Sequence, residues 1–191
     1  MIWVIVLLAV LVLLAIAAVV LYNRFVRLRN RVDNAWAQIE VQLKRRWDLI
    51  PNLVETVKGY AAHERETFQR VTEARSAAQR AQTPTESAQA EGILSQALGR
   101  LFAVAEQYPE LQADENFRQL QTEIAETENR IAVSRQVYND TVLTYNNAIQ
   151  TVPGVLVAGP FGFGTRDFFD VEDDTQREAP QVSFTPGTPA S

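Results

Sequence analysis

The chain has 191 residues, with 18 Lys and Arg against 23 Asp and Glu for a formal charge of −5, one histidine and no cysteine. That composition excludes disulfides, thiolate metal sites, cysteine nucleophiles, a lipid-modified anchor cysteine and any mechanism that needs two imidazoles. The length suits a single folded unit.

Residues 2–22 carry no charged side chain, and Trp3 and Tyr22 stand near the two ends of this Val, Leu, Ile and Ala segment. A helix rising about 1.5 Å per residue crosses a hydrocarbon core of about 30 Å in roughly 20 residues. Trp and Tyr favour the membrane interfaces. A cleaved signal peptide needs a basic start and has a shorter apolar core, and Met1, Ile2 and Trp3 offer no basic side chain, so a retained single-pass anchor is expected. Arg24, Arg27, Arg29 and Arg31 follow the span and no basic side chain precedes it. Basic flanks stay in the cytoplasm, which predicts an outside amino terminus and a cytoplasmic body. Trp3, Tyr22, Arg24, Arg27 and Arg29 are the expected membrane-interface residues.

Charge then divides the chain. Residues 24–80 hold 12 basic and 7 acidic side chains, and residues 81–191 hold 6 and 16. Basic groups beside the bilayer gain about 1 kcal/mol each from anionic headgroups; beyond residue 31 they read as solvated helix faces. They are interleaved with acids in no recognisable nucleic-acid module, so nucleic acid is not an expected partner.

The body, residues 24–152, reads as an all-α antiparallel bundle of three or four helices. Val32, Trp36, Ile39, Leu43, Trp47, Ile50, Val54, Val57, Ala61, Phe68 and Val71 recur mostly three or four apart, the spacing of one helix face. No turn separates Tyr22 from this stripe, so the span is expected to run directly into it. Pro51 removes one hydrogen bond and is expected to kink the helix, the alternative being a break capped by Asp48. A second break near residues 64–67 would also make the count four. Residues 81–90 read as a loop. A shorter helix carries Ile93, Leu94, Ala97, Leu98, Leu101, Phe102 and Ala105 and ends at Tyr108-Pro109-Glu110. Asp114 caps a helix of roughly 35 residues with Phe117, Leu120, Ile124, Ile131, Tyr138, Val142, Tyr145, Ile149 and Val152 as its stripe, stopped by Pro153-Gly154. Short connections make neighbouring helices antiparallel. Residues 153–179 form a Gly- and Phe-rich loop expected to fold back on the bundle, then an acidic run; an exposed partner-binding motif is the other reading. Residues 180–191, rich in Pro, Thr and Ser, read as a disordered tail.

Searches for chemistry return negatives. His63-Glu64 begins a zinc-protease motif, but the position four after the histidine is Thr67. Gly159, Gly162 and Gly164 follow no strand and precede no Lys-Ser/Thr, so they read as turn glycines. Glu126 and Glu128 are two apart and do not share a helix face. No catalytic, cofactor or metal site is expected. One polar pattern stands out: Tyr138-Asn139 and Tyr145-Asn146 lie seven apart, two turns along one face. Tyrosine fills a core while its hydroxyl seeks a partner, and asparagine is expected to bond across helices and fix register.

The run Val41-Gln42-Leu43-Lys44-Arg45-Arg46-Trp47-Asp48-Leu49-Ile50-Pro51-Asn52-Leu53-Val54, with Ala35-Trp36, Val57-Lys58-Gly59-Tyr60-Ala61, Ala74-Arg75, Tyr108-Pro109-Glu110-Leu111, Glu128, both Tyr-Asn pairs, Gly162-Phe163 and Phe168-Phe169, resembles the bacterial LemA family. The resemblance covers about residues 20–170 and leaves out the tail. It implies one amino-terminal span followed by a helical bundle, with no established enzymatic activity and no catalytic residues to carry over. A family member associated with magnetosome membranes implies a role in membrane organisation, and others near membrane proteases or envelope-stress genes imply envelope quality control. The charged part of the run serves either tight packing around Pro51 or a contact surface. The candidate surface is Lys44, Arg45, Arg46 and Asp48, with Phe161, Phe163, Phe168 and Phe169 as a second patch.

The expectation is therefore a non-enzymatic membrane-anchored scaffold, self-associating, in envelope or membrane organisation. The alternative is an adaptor or regulator of a membrane protease or signalling protein. The expected partners are the lipid bilayer and either further copies of the chain or another membrane protein.

Overall fold

A computed structural model describes residues 1–170. The end of the acidic run and the Pro, Thr and Ser tail lie outside the described residues. One helix, α1, runs from Ile2 to Lys58, 57 residues, which is about 85 Å of continuous rod. Its first third is apolar, has no buried residue and is long enough to cross a membrane. It then enters the body without a break, because residues 20–50 contain no Gly or Pro. The helix also continues through Pro51, so Asp48 is an exposed mid-helix residue and not a cap.

The stripe that looks continuous to Val71 is cut after Lys58. Gly59, Tyr60 and Ala61 turn back on the last carbonyls of α1, and α2 begins at Arg65 and ends at Ala78. Helix α3, Pro84–Ala105, starts inside the segment expected to be a loop. The Thr83 hydroxyl accepts from the Glu86 N–H at 3.1 Å, the Glu86 carboxylate accepts from the Thr83 N–H at 3.4 Å, and Pro84 occupies the first turn. That capping box turns the polar stretch 83–86 into a helix start. A five-residue helix, α4, Pro109–Ala113, leads to Asp114, whose carboxylate caps α5, Glu115–Gln150, by accepting from the Phe117 N–H at 2.9 Å. A last short helix, α6, spans Gly154–Ala158. No strand occurs among the described residues.

Helices α1 and α5 pair antiparallel. From the Arg46–Glu128 contact to the Trp36–Tyr138 contact, both advance ten residues in opposite directions. Helices α2 and α3 form a hairpin packed beside the end of the pair remote from the span. Two cores result. The distal core joins Ile50, Leu53 and Val57 of α1 to Val71, Leu94, Leu101, Phe117 and Ile124 of the other helices. The proximal core joins Phe25, Val32, Ile39 and Leu43 to Ile131, Val142, Tyr145 and Ile149, with Phe163 and Phe169 from the chain beyond α6. Two stripe residues fall outside both cores: Ile93 is exposed because it is displaced from the buried arc of α3, and Val152 because it lies beyond the end of α5.

Candidate functional site

Two polar arrangements stand out against these apolar cores. The first fastens residues 162–170, an irregular strap laid along α1 and α5. Its direction is set at Gly162, whose φ of +71° lies where only glycine is at ease. The strap forms no ladder of its own, so its peptide groups need other partners once covered. The Tyr-Asn pairs of α5 supply them. Asn146 donates its Nδ2 to the Arg166 carbonyl and accepts from the Arg166 N–H with its Oδ1, both at 2.9 Å. One repeat earlier, Asn139 does the same for Phe169, donating at 3.3 Å and accepting at 2.9 Å. The Tyr145 hydroxyl donates to the Gly164 carbonyl at 2.9 Å and that of Tyr138 to the Asp167 carbonyl at 2.8 Å. The spacing accounts for the repeat. Seven helical residues rise about 10.5 Å, and the three steps from Arg166 to Phe169 cover about 10 Å when extended. The asparagines thus hold a backbone strap where bonds across helices were expected. Burial pushes the Tyr138 hydroxyl up to about 12 and raises that of Tyr145 as well.

The second arrangement lies where the two cores meet. Arg46, 2% exposed, donates from Nη1 to Glu91 Oε2 at 3.0 Å and from Nη2 to Ser95 Oγ at 2.9 Å. The same Nη2 pairs with Glu128 Oε2 at 2.8 Å. The Trp47 indole donates to the other oxygen of Glu91 at 2.7 Å. One cation therefore ties α1, α3 and α5 together. Burial raises the Glu91 carboxyl, and the positive charge of Arg46 opposes that rise. Pro51 belongs to the same assembly. With no N–H, it leaves the Trp47 carbonyl four residues back without its helical donor. Arg75 of α2 fills the vacancy, donating Nε to that oxygen at 2.7 Å. Arg46, Trp47, Pro51, Arg75 and Glu128 are thus one construction drawn from separate parts of the chain.

These positions revise the expected surface. Arg46, Phe163 and Phe169 are buried and contribute nothing to an exposed patch, because Arg46 is spent on its carboxylates and both rings lie in the proximal core. Lys44, Arg45 and Asp48 are exposed and form no ion pair among the described residues, while Phe161 and Phe168 remain accessible. Trp3, Tyr22, Arg24 and Arg27 are exposed; Arg29 is half-buried, its guanidinium 5.5 Å from the centre of the Phe163 ring. A cavity of about 190 Å³ beside Arg46, Glu91 and Phe169 is smaller than the roughly 300–1,000 Å³ of small-molecule sites. Among the described residues no three His, Asp or Glu side chains gather as ligands for a cation. Glu91 and Ser95, partners of Arg46, escaped sequence reasoning; only a polar residue on an otherwise apolar helix face signals them.

The chain is 30% identical over 189 aligned positions to Magnetosome protein MamQ 2 of Paramagnetospirillum magneticum, covering 84% of this chain and 70% of that protein. Magnetosome protein MamQ of Magnetospirillum gryphiswaldense is 29% identical over the same shares. Protein LemA of Metamycoplasma hominis is 28% identical over 130 positions, 68% of this chain and 59% of that one. The model of the LemA family matches residues 35–184, which takes in Arg46, Pro51, Arg75, Glu128, both Tyr-Asn pairs and the strap: the chain belongs to the LemA family.

Proposed function

We propose that this LemA-family protein is a membrane-anchored, non-enzymatic scaffold that self-associates and organises a bacterial envelope or internal membrane. The observation that carries the reading is α1 itself, a single helix that is bare and apolar over its first third and packed into the body over the rest. Such a rod holds the body at a set height and angle over the bilayer. Its relatives named as magnetosome proteins support a membrane role. The body is proposed to be cytoplasmic, as Arg24, Arg27 and Arg29 beside the span favour.

Self-association has a candidate face on α5, where Val133 and Val137, one turn apart, are both exposed. The chain has no cysteine, so Val133→Cys gives a single reporter. Oxidation in native membranes should yield a crosslinked dimer, and a cysteine placed instead at exposed Ile93 of α3 should not. A Val133→Cys chain that stays monomeric on oxidation, with one copy per detergent micelle by mass, would contradict the scaffold reading.

The adaptor reading is favoured by one observation: Lys44 and Arg45 are exposed on α1 beside Asp48 without an ion pair among the described residues. Lys44→Glu with Arg45→Glu leaves the Arg46 network untouched and should abolish recovery of any partner from crosslinked membranes. Unchanged recovery rejects that face.

A further inference from the structure

At the end of the body nearest the span, the surface is apolar where a soluble helical protein would be polar. From Thr141 to Thr165 the sequence has no charged side chain. Helix α6 lies in this stretch and packs on α1 and α5 through small residues. Gly154 comes so close that a Cβ there would lie 2.0 Å from the Ala148 carbonyl oxygen and 3.1 Å from the Phe25 ring, and Ala158 is buried in the proximal core. The outward residues are the larger ones: Leu156 is 71% exposed, Val155 44%, and Val152 just before the helix 80%. Phe161, in the turn after α6, is 58% exposed and meets Tyr22 edge-on, with ring centroids 5.3 Å apart. Tyr22 closes the apolar segment of α1, so these side chains stand at the level where that segment emerges.

We infer that α6 and the turn carrying Phe161 form an apolar foot that dips into the lipid interface beside the span, with Val152, Val155, Leu156 and Phe161 as its lipid-facing residues. The inference rests on the membrane-anchored reading above. A bilayer is the occupant that the geometry favours, because the patch is continuous with the bare surface of α1 and carries no charge to desolvate. Arg24 and Arg27, exposed within the next turn and a half of α1, sit at headgroup height on the same reading. The foot gives the body a second attachment, so the rod does not spin or tilt freely about its single span. The strap follows directly from it, so lipid contact at Phe161 bears on the same segment that the Tyr-Asn pairs hold.

The absence of native cysteine makes the test clean. Nitroxide labels are placed singly on the full chain at Leu156→Cys and Phe161→Cys, with Leu11→Cys in the span and Ile93→Cys on α3 as references, in vesicles of phosphatidylcholine and phosphatidylglycerol. Collisions with oxygen, which concentrates in lipid, are compared with those of a water-soluble nickel chelate. Labels at 156 and 161 should favour oxygen, less strongly than 11, while 93 favours nickel. Nickel-accessible labels at 156 and 161 with a lipid-buried label at 11 overturn the foot and leave the span standing. A nickel-accessible label at 11 overturns both. Shielding of 156 and 161 from both reagents means that protein covers the patch, and also overturns the inference. Ile93 and Leu156 are exposed, so their labels leave the fold intact, and circular dichroism of each variant confirms it.

Discussion

The two halves of the body bury their helices by different means. At the distal end α1, α2, α3 and α5, with the short α4, pack on one another through regular helices, and the core is made of Ile, Leu, Val, Ala and Phe. At the proximal end only two long helices, α1 and α5, are present, and with the short α6 they do not close a core. The third side is supplied by the strap, whose exposed peptide groups have no helical partners, so the core there must contain Asn and Tyr beside its apolar residues. Polar residues in a core thus mark the place where irregular backbone has been buried. The Arg46 junction sits on the seam between the two solutions.

That contrast can be broken at the seam with the largest effect. Arg46→Ala leaves Glu91 buried without its cation, a change that costs about 3–5 kcal/mol. The cost depends on pH. Glu91 is raised in the folded protein, so its contribution to stability is complete below the ordinary carboxylate range and is lost as pH rises through the raised value. Removing Arg46 takes away the charge that opposes the rise. The gap between the melting temperatures of wild type and Arg46→Ala should therefore widen from pH 4.5 to pH 7.5, and Glu91→Gln in the variant should close most of it. A gap that is flat with pH means that Glu91 is not the stranded group.

The link between Pro51 and Arg75 is next. Arg75→Ala orphans the Trp47 carbonyl and should cost about 1.5–3 kcal/mol, the worth of a charged hydrogen bond. Pro51→Ala restores the missing N–H, and in that background Arg75→Ala should cost well under half as much. Equal costs in both backgrounds would show that Arg75 acts through something other than this oxygen.

The proximal half responds locally. Asn146→Ala strips both bonds from the Arg166 peptide group, about 1–3 kcal/mol, and should expose the bond after Arg166 to trypsin while α2 and α3 keep their protection from hydrogen exchange. Resistance equal to wild type at Arg166 would mean that the asparagines do not hold the strap. At the small end of the scale, Glu66→Ala removes an exposed pair with Arg70 on α2 and should change stability by no more than about 0.5 kcal/mol.

Local periodicity made much of this architecture readable in advance. The bare span, the stripes of α1, α3 and α5 and the Asp114 cap all follow from neighbours a few residues apart. The break after Lys58 is hidden because Ala61 and Phe68 stay near helical phase with Val57 across it. The start of α3 was carried by Thr83 and Glu86, but the proline and low hydrophobicity around them read as loop. The seven-residue Tyr-Asn repeat was visible in the sequence. Its partner was not, since nothing local ties Asn146 to a peptide group 20 residues on. Arg46 is the same case at longer range: its carboxylates lie on α3 and α5, and a run of Lys-Arg-Arg on a helix reads as surface until the other helices are in place.

The claim on which the rest depends is that α1 passes from membrane to body as one rigid rod. Nitroxides at Leu11→Cys and Gln38→Cys, both on exposed positions of α1, measure it in vesicles by electron–electron dipolar coupling. The 27 intervening steps of unbroken helix predict one narrow distance distribution centred at about 40 Å. A broad distribution reaching well below that value would place a hinge between span and bundle and contradict the account.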